Sequence, residues 1–321
     1  VAFLLSPYFS RLIRFFPPVV TGTIITLIGI SLLPVAVRWA GGGHPGAADY
    51  ASLHNLCLAL ITLAIVIIVY RMFTGFISNL SILFGLVGGT AVAYFLGYAD
   101  FSAMDNAAWV GIVSPLYFGM PTFSISGILS MVIVMLVIMV ETTGDCIAIC
   151  EIVGRKVDKG RLAACLRADG LSTFIASFLN SFPHSAFAQN VGLVAVTGIK
   201  SRYVVACSGI ILLVLGMFPK MGALIASIPS AVLGGAGLAM FGMIIASGIR
   251  ALGKVSFDGN YNLMIVAVSL SLGMITLAEP HFFEHFPQWA QIIFHSGITL
   301  GSLTAVAMNV ILNGSEGHPS D

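Results

Sequence analysis

Charge is what this sequence has least of: 14 Lys and Arg with 13 Asp and Glu make up 8% of 321 residues, against about 25% in a soluble domain. So few charges cannot cover the surface of a water-soluble globule of this length, whereas a bilayer accepts an apolar surface. With 58% hydrophobic residues and a mean hydropathy of +1.02, a soluble enzyme and a disordered chain are excluded. A net charge of +1 offers no face for a polyanion, so no nucleic-acid partner is expected. Cysteine is sparse as well. Cys57, Cys146, Cys150, Cys165 and Cys207 lie in or beside apolar stretches with no CxxC pair, and they read as small hydrophobes. The seven His are scattered, and no Glu-x-x-His pair is present, so neither a metal site nor a cofactor is expected.

Long uncharged runs fill the space between the few charges. At ~20 apolar residues per crossing, they predict an all-α polytopic membrane protein of about ten transmembrane segments. The predicted spans lie near 17–37, 52–70, 77–97, 126–152, 163–181, 189–199, 203–218, 222–249, 261–278 and 288–312. Residues 98–125, broken by Pro, Gly and Asp, read as an external loop or re-entrant piece. Threading the spans alternately through a membrane puts Arg11, Arg14, Arg71, Arg155, Lys156, Lys159, Arg161, Arg167, Lys200, Arg202, Arg250 and Lys254 on one side. Only Arg38 and Lys220 fall on the other. Lys and Arg collect in the cytoplasm, which places the C-terminal tail, 313–321, there too. VAFLLSPYF at the start runs directly into Arg11 and Arg14 and reads as the tail of a preceding helix, so a longer protein is expected.

Polar residues concentrate in the middle of the chain, where spans are short or interrupted, and such segments mark the binding region of secondary transporters. In MVIVMLVIMVETTGDCIAICEIVGR, Glu141 and Asp145 are four apart and share a helix face. The nearby basic residues all lie in the loop from Arg155 onward. Glu141 must therefore be protonated, hydrogen-bonded to neutral groups or matched by a ligand. A second constellation is FLNSFPHSAFAQNVGLVAVTGIKSR, 178–202. Pro183 breaks the helix, HSAF is expected to be extended, and QNVG would open a short helix whose N-terminal dipole is positive. Gln189 presents an amide donor and acceptor side by side, complementary to a planar lactam or imide. Phe187 could stack on a flat ring. Asn190 and Thr197 fit backbone satisfaction at a helix break as well as ligand contact. His184 could be a structural hydrogen-bonder or a titrating group. The glycines of 234–242, with Gly85 and Gly89, read as sites of close helix packing.

QNVGLVAVTG, 189–198, resembles the signature of the nucleobase–ascorbate transporters, the nucleobase:cation symporter-2 family: Gln/Glu/Pro-Asn-x-Gly-x-x-x-x-Thr-Arg/Lys/Gly. ETTGD, 141–145, resembles the Glu-x-x-Gly-Asp motif of its eighth helix, and FFPPVVTGTI the start of its fifth. The likeness continues through IPSAVLGGAGLAMFGM and HSGI and is strongest to the bacterial uric acid and xanthine permeases. It implies a fold of fourteen segments in two inverted repeats of seven, of which this chain holds the C-terminal part, with segments 1 to 3 and most of 4 having no counterpart here. Residues 1–14 would be the tail of segment 4, 15–97 and 219–312 the two parts of a gate domain, and 126–218 the C-terminal half of a core domain. HSAFA would be a short strand before a half-helix.

Carried over by motif, Glu141 and Gln189 would hold the substrate, Phe187 and Ala188 would line the site, and Asp145, Asn190, His184 and Thr197 would couple or support it. The implied activity is proton-coupled uptake of uric acid or xanthine across the bacterial inner membrane, with a homodimer through the gate. Uracil or another nucleobase shares the lactam edge, so it stays open as a substrate. An anion exchanger or channel of the related sulfate/bicarbonate type is the alternative from another class. Such a protein should offer a cationic or purely dipolar site rather than a mid-span carboxylate.

Overall fold

The computed structural model describes residues 2–12, 17–155, 158–187, 190, 194, 198–258, 261–287, 290–291, 294 and 297–314. All regular structure among them is helical. The helices are α1 (Ala2–Leu12), α2 (Pro18–Ala40), α3 (Leu53–Met72), α4 (Phe76–Asn79), α5 (Ser81–Phe95), α6 (Ser102–Asp105), α7 (Ile125–Val153), α8 (Lys159–Phe178), α9 (Arg202–Gly216), α10 (Pro219–Ala226), α11 (Ser230–Leu252), α12 (Asn262–Ala278) and α13 (Gly297–Asn313). Three of them, α2, α3 and α11, are long and apolar enough to cross a membrane, with a fourth if α9 and α10 form one broken span; α5, α12 and residues 300–313 are shorter apolar helices.

Two predicted elements differ. Within HSAFA, residues 184–187 form no strand: residues 182–187 have no regular structure, no strand forms among the described residues, and Ala188 lies outside them. A strand exists only through ladder bonds to a second one, and none of the described residues supplies it. The predicted span 222–249 is also divided, because Pro219 opens α10, Pro229 precedes α11, and α9 meets α10 at 87°. Proline at a helix start has no N–H to lose, while the residue before it is pushed out of helical geometry. Residues 98–124 are irregular apart from the single turn of α6.

The chain falls into two compact units, one of residues 1–31, 115–191 and 243–321 and the other of 32–114 and 192–242. In the first, Ala2, Met135, Met139, Cys146, Cys150, Leu162 and Leu166 bury an apolar seam among α1, α7 and α8. Val19, Val20, Ile24, Ile265 and Ala305 form a second seam where the start of α2 meets α12 and α13. In the second unit, Leu58, Ala93, Ala231 and Val232 join α3, α5 and the start of α11. Glycine sets how close these helices come. A Cβ on Gly234 would collide with the Ala40 backbone, one on Gly235 with the Ala59 carbonyl, and ones on Gly85 and Gly89 with Val66 and Thr62. The close-packing reading holds at those four positions, while Gly242 has nothing within 4 Å. Large apolar side chains remain exposed along whole helices, such as Leu212 and Leu213 of α9 at 66% and 75%, a surface suited to lipid.

Candidate functional site

Helix α7 is a 29-residue helix, about 43 Å at 1.5 Å per residue, and it carries Glu141 and Asp145 one turn apart. The backbone of Glu141 is described but its side chain is not; Asp145 is half-buried. Thr142, next to Glu141, is 2% exposed, and its hydroxyl donates to the Asp169 carboxylate on α8 at 2.8 Å. Thr143 points its hydroxyl back to the Met139 carbonyl. The ETTGD turn is thus fixed from within its helix by Thr143 and from α8 through Thr142.

Both ends of α8 are set by local chemistry. Its N-cap is Asp158, whose carboxylate accepts the Arg161 N–H at 2.7 Å. At the other end Asn180 adopts a left-handed φ of 60°, and the Ser181 N–H returns to the Ala176 carbonyl at 2.9 Å. This is the Schellman closure, in which asparagine can replace the usual glycine. The Asn180 side chain also accepts the Tyr117 N–H at 2.9 Å, and the Leu116 N–H bonds to the Phe178 carbonyl at 3.0 Å. The chain leading into α7 is thereby tied to the end of α8.

Beyond that closure, Pro183 keeps the chain out of the helix. The His184 N–H donates to the Thr173 hydroxyl of α8 at 3.1 Å. Phe187 is 56% exposed, and its carbonyl accepts the Asn190 N–H at 2.9 Å, turning the chain where the half-helix was expected to begin. Asn190 itself is helical and exposed. Ala188, Gln189 and Thr197 lie outside the described residues. Gly198 has φ +67°, and its N–H bonds to the Val194 carbonyl at 3.0 Å, a left-handed helix stop.

Of the eight residues expected at the site, α7 brings Glu141 and Asp145 together, and α8 is bonded to the segment that carries His184 and Phe187. A separate apolar cavity of about 740 Å³ lies among α1, α7, α8 and the loop before α7, bordered by Phe3, Phe123, Met131, Met135 and Phe174. Among the described residues its lining includes Thr173 but not Asp145, His184, Phe187 or Asn190, and the polar constellation is the candidate site. Sequence reasoning missed Thr142 and Asp169. A signal was there, since Asp169 falls inside the predicted span 163–181, where an acid has to find a partner.

A family model for the xanthine and uracil permeases, described simply as a permease family, matches residues 1–282. The chain belongs to the xanthine/uracil permease family. It is 44% identical to the xanthine permease of Bacillus subtilis over 310 residues, 97% of this chain and 70% of that one. It is also 44% identical to the uric acid transporter UacT of Escherichia coli over 316 residues, 98% of this chain and 65% of the relative. The uric acid permease PucK of Bacillus subtilis is 40% identical over 321 residues, all of this chain and 74% of that one. The chain thus spans about two thirds to three quarters of the length of these relatives. Members of this permease family are transporters, not enzymes, and this one is a multi-pass membrane protein.

Proposed function

We propose that the protein carries purine nucleobases, xanthine or uric acid, into the cell in symport with protons. The observation that carries this reading is the match to a xanthine permease over 97% of the chain, which includes both polar constellations. Nucleobase transport is the activity of the family; the choice of purine, the coupling ion and the site are the proposal. In it, the Glu141 carboxylate accepts hydrogen bonds from ring N–H groups, the Gln189 amide reads the neighbouring lactam, and Phe187 stacks on the purine face. Ala188 contributes backbone, and Asp145, Asn190, His184 and Thr197 support the site or couple it to protons. Charge-assisted hydrogen bonds in a dry site discriminate strongly, because a substrate lacking the matching group leaves them unpaired.

The same reading has the architecture as the C-terminal part of a 7+7 inverted repeat with about ten spans in this chain. Residues 126–218 form half of the core, 15–97 and 219–312 form a gate through which two copies pair, and 98–125 lies outside. The distribution of Lys and Arg supports a cytoplasmic C-terminus in the bacterial inner membrane. A mid-span glutamate disfavours an anion exchanger.

The test is uptake of labelled xanthine by cells lacking their own purine permeases and expressing the complete reading frame that encodes this chain. Unlabelled urate should compete and uracil should compete poorly, and a protonophore should abolish accumulation. Uptake insensitive to the protonophore, or blocked best by uracil, refutes the reading.

A further inference from the structure

We infer that Thr173 on α8 is a positioning residue for the purine site: by holding the His184 backbone it sets where residues 184–187 stand relative to the acidic turn of α7. The inference rests on the site proposed above and adds a residue to it. Four other helix threonines, Thr23, Thr26, Thr62 and Thr143, are buried and direct their hydroxyls to the carbonyl four residues back in their own helix, which satisfies the group and does nothing else. Thr173 instead accepts an N–H from outside its helix, at 3.1 Å from His184. One turn earlier on the same helix, Asp169 accepts the Thr142 hydroxyl at 2.8 Å. Residues four apart share a face, so one face of α8 holds the neighbour of Glu141 and, one turn on, the stretch that ends at Phe187. Helix α8 is a rigid spacer between the two halves of the constellation. Residues 182–187 have no regular structure of their own, so the Thr173 bond anchors them to a helix. A shift of about 1 Å in one half of a site is enough to spoil a two-point grip on a planar ligand.

The test compares Thr173→Val, which keeps the shape and removes the acceptor, with Thr173→Ser, which keeps the hydroxyl, both in the full-length protein. Two quantities are read: hydrogen exchange in the peptide covering 182–187, and KM and maximal rate of xanthine uptake per transporter at the cell surface. A neutral hydrogen bond contributes ~0.5–1.5 kcal/mol, or about 2- to 10-fold. Thr173→Val should therefore speed exchange at His184 and raise KM by that factor while the maximal rate stays within about 2-fold. Thr173→Ser should match the parent on both. If the valine variant does not reach the membrane, Thr173→Ala supplies the same two readings. Unchanged KM in the valine or alanine variant, unchanged exchange, or a serine variant as impaired as valine overturns the inference. Glu141→Gln and Gln189→Ala run in parallel. If they abolish uptake while Thr173→Val does not move KM, only the role of Thr173 falls; if both leave uptake intact, the site itself falls and the inference with it.

Discussion

Replacing Thr142 and Asp169 singly and together tests whether the hydrogen bond between them joins the two acid-bearing helices. The bond is 2.8 Å long, its donor is 2% exposed, and its acceptor is an acid in the middle of α8. A hydrogen bond to a charged group contributes ~1.5–3 kcal/mol. Two effects reduce that here. Asp169 is half-buried and keeps some access to solvent, and a freed Thr142 hydroxyl can fall back on the carbonyl four residues earlier in its helix. A coupling of about 1–2 kcal/mol between Thr142→Val and Asp169→Ala is therefore expected. Thermal denaturation of the detergent-solubilised full-length protein, followed by fluorescence size-exclusion, should show non-additivity of roughly 2–4 °C. The double variant should be less destabilised than the sum of the singles. Asp169→Asn, which keeps a carbonyl acceptor, should lose less than Asp169→Ala. Strict additivity within about 0.3 kcal/mol refutes the joint between α7 and α8.

Two further outcomes follow from packing and charge. Gly235→Ala should lower the melting temperature, since the new Cβ would collide with the Ala59 carbonyl and stand 2.9 Å from the Thr62 Cβ, an overpacking that costs ~1–3 kcal/mol. Gly242→Ala, with nothing within 4 Å, should raise it through the ~1 kcal/mol advantage of alanine in a helix; shifts of the same sign in both contradict the packing. In the loop after α12, the Glu284 carboxylate accepts from the His281 ring and raises its pKa above the ordinary 6.5. That contact is fully present below 6.5 and is lost as pH rises through the raised value. Hydrogen exchange of residues 279–287, corrected for its intrinsic pH dependence, should thus gain protection on acidification to pH 6, and His281→Gln should flatten the profile.

Most helix positions were legible because charges and prolines bracket them. Arg71 ends α3, Pro17 and Pro18 open α2, and the 29 residues of α7 run from the end of a Pro- and Gly-broken loop to Gly154, whose φ of 75° stops it. The division between α10 and α11 was less visible, because an uninterrupted apolar run hides a break whose only sign is Pro229. The strand was expected from family likeness, and a strand is a property of two segments, so one segment's sequence does not determine it. Glu141 and Asp145 stood out as acids without a nearby cation. Asp169 did not, because Arg167 two residues before it makes the stretch resemble a charged flank; only the three-dimensional approach of Thr142 shows its use. The pairing of His184 with Thr173 was likewise invisible, since it links a backbone N–H to a side chain eleven residues away across a proline break.

In the proposed site the acidic turn of α7 and the segment after Pro183 together grip a purine. Initial rates of labelled xanthine uptake by the full-length protein, its Glu141→Gln variant and its Gln189→Ala variant, each normalised to transporter at the cell surface, test it most directly. Both substitutions should reduce uptake at low xanthine by at least about 10-fold, the loss expected when a charge-assisted or bidentate contact worth more than ~1.4 kcal/mol is removed. Uptake within 2-fold of the parent in both variants, at equal surface expression, would contradict it.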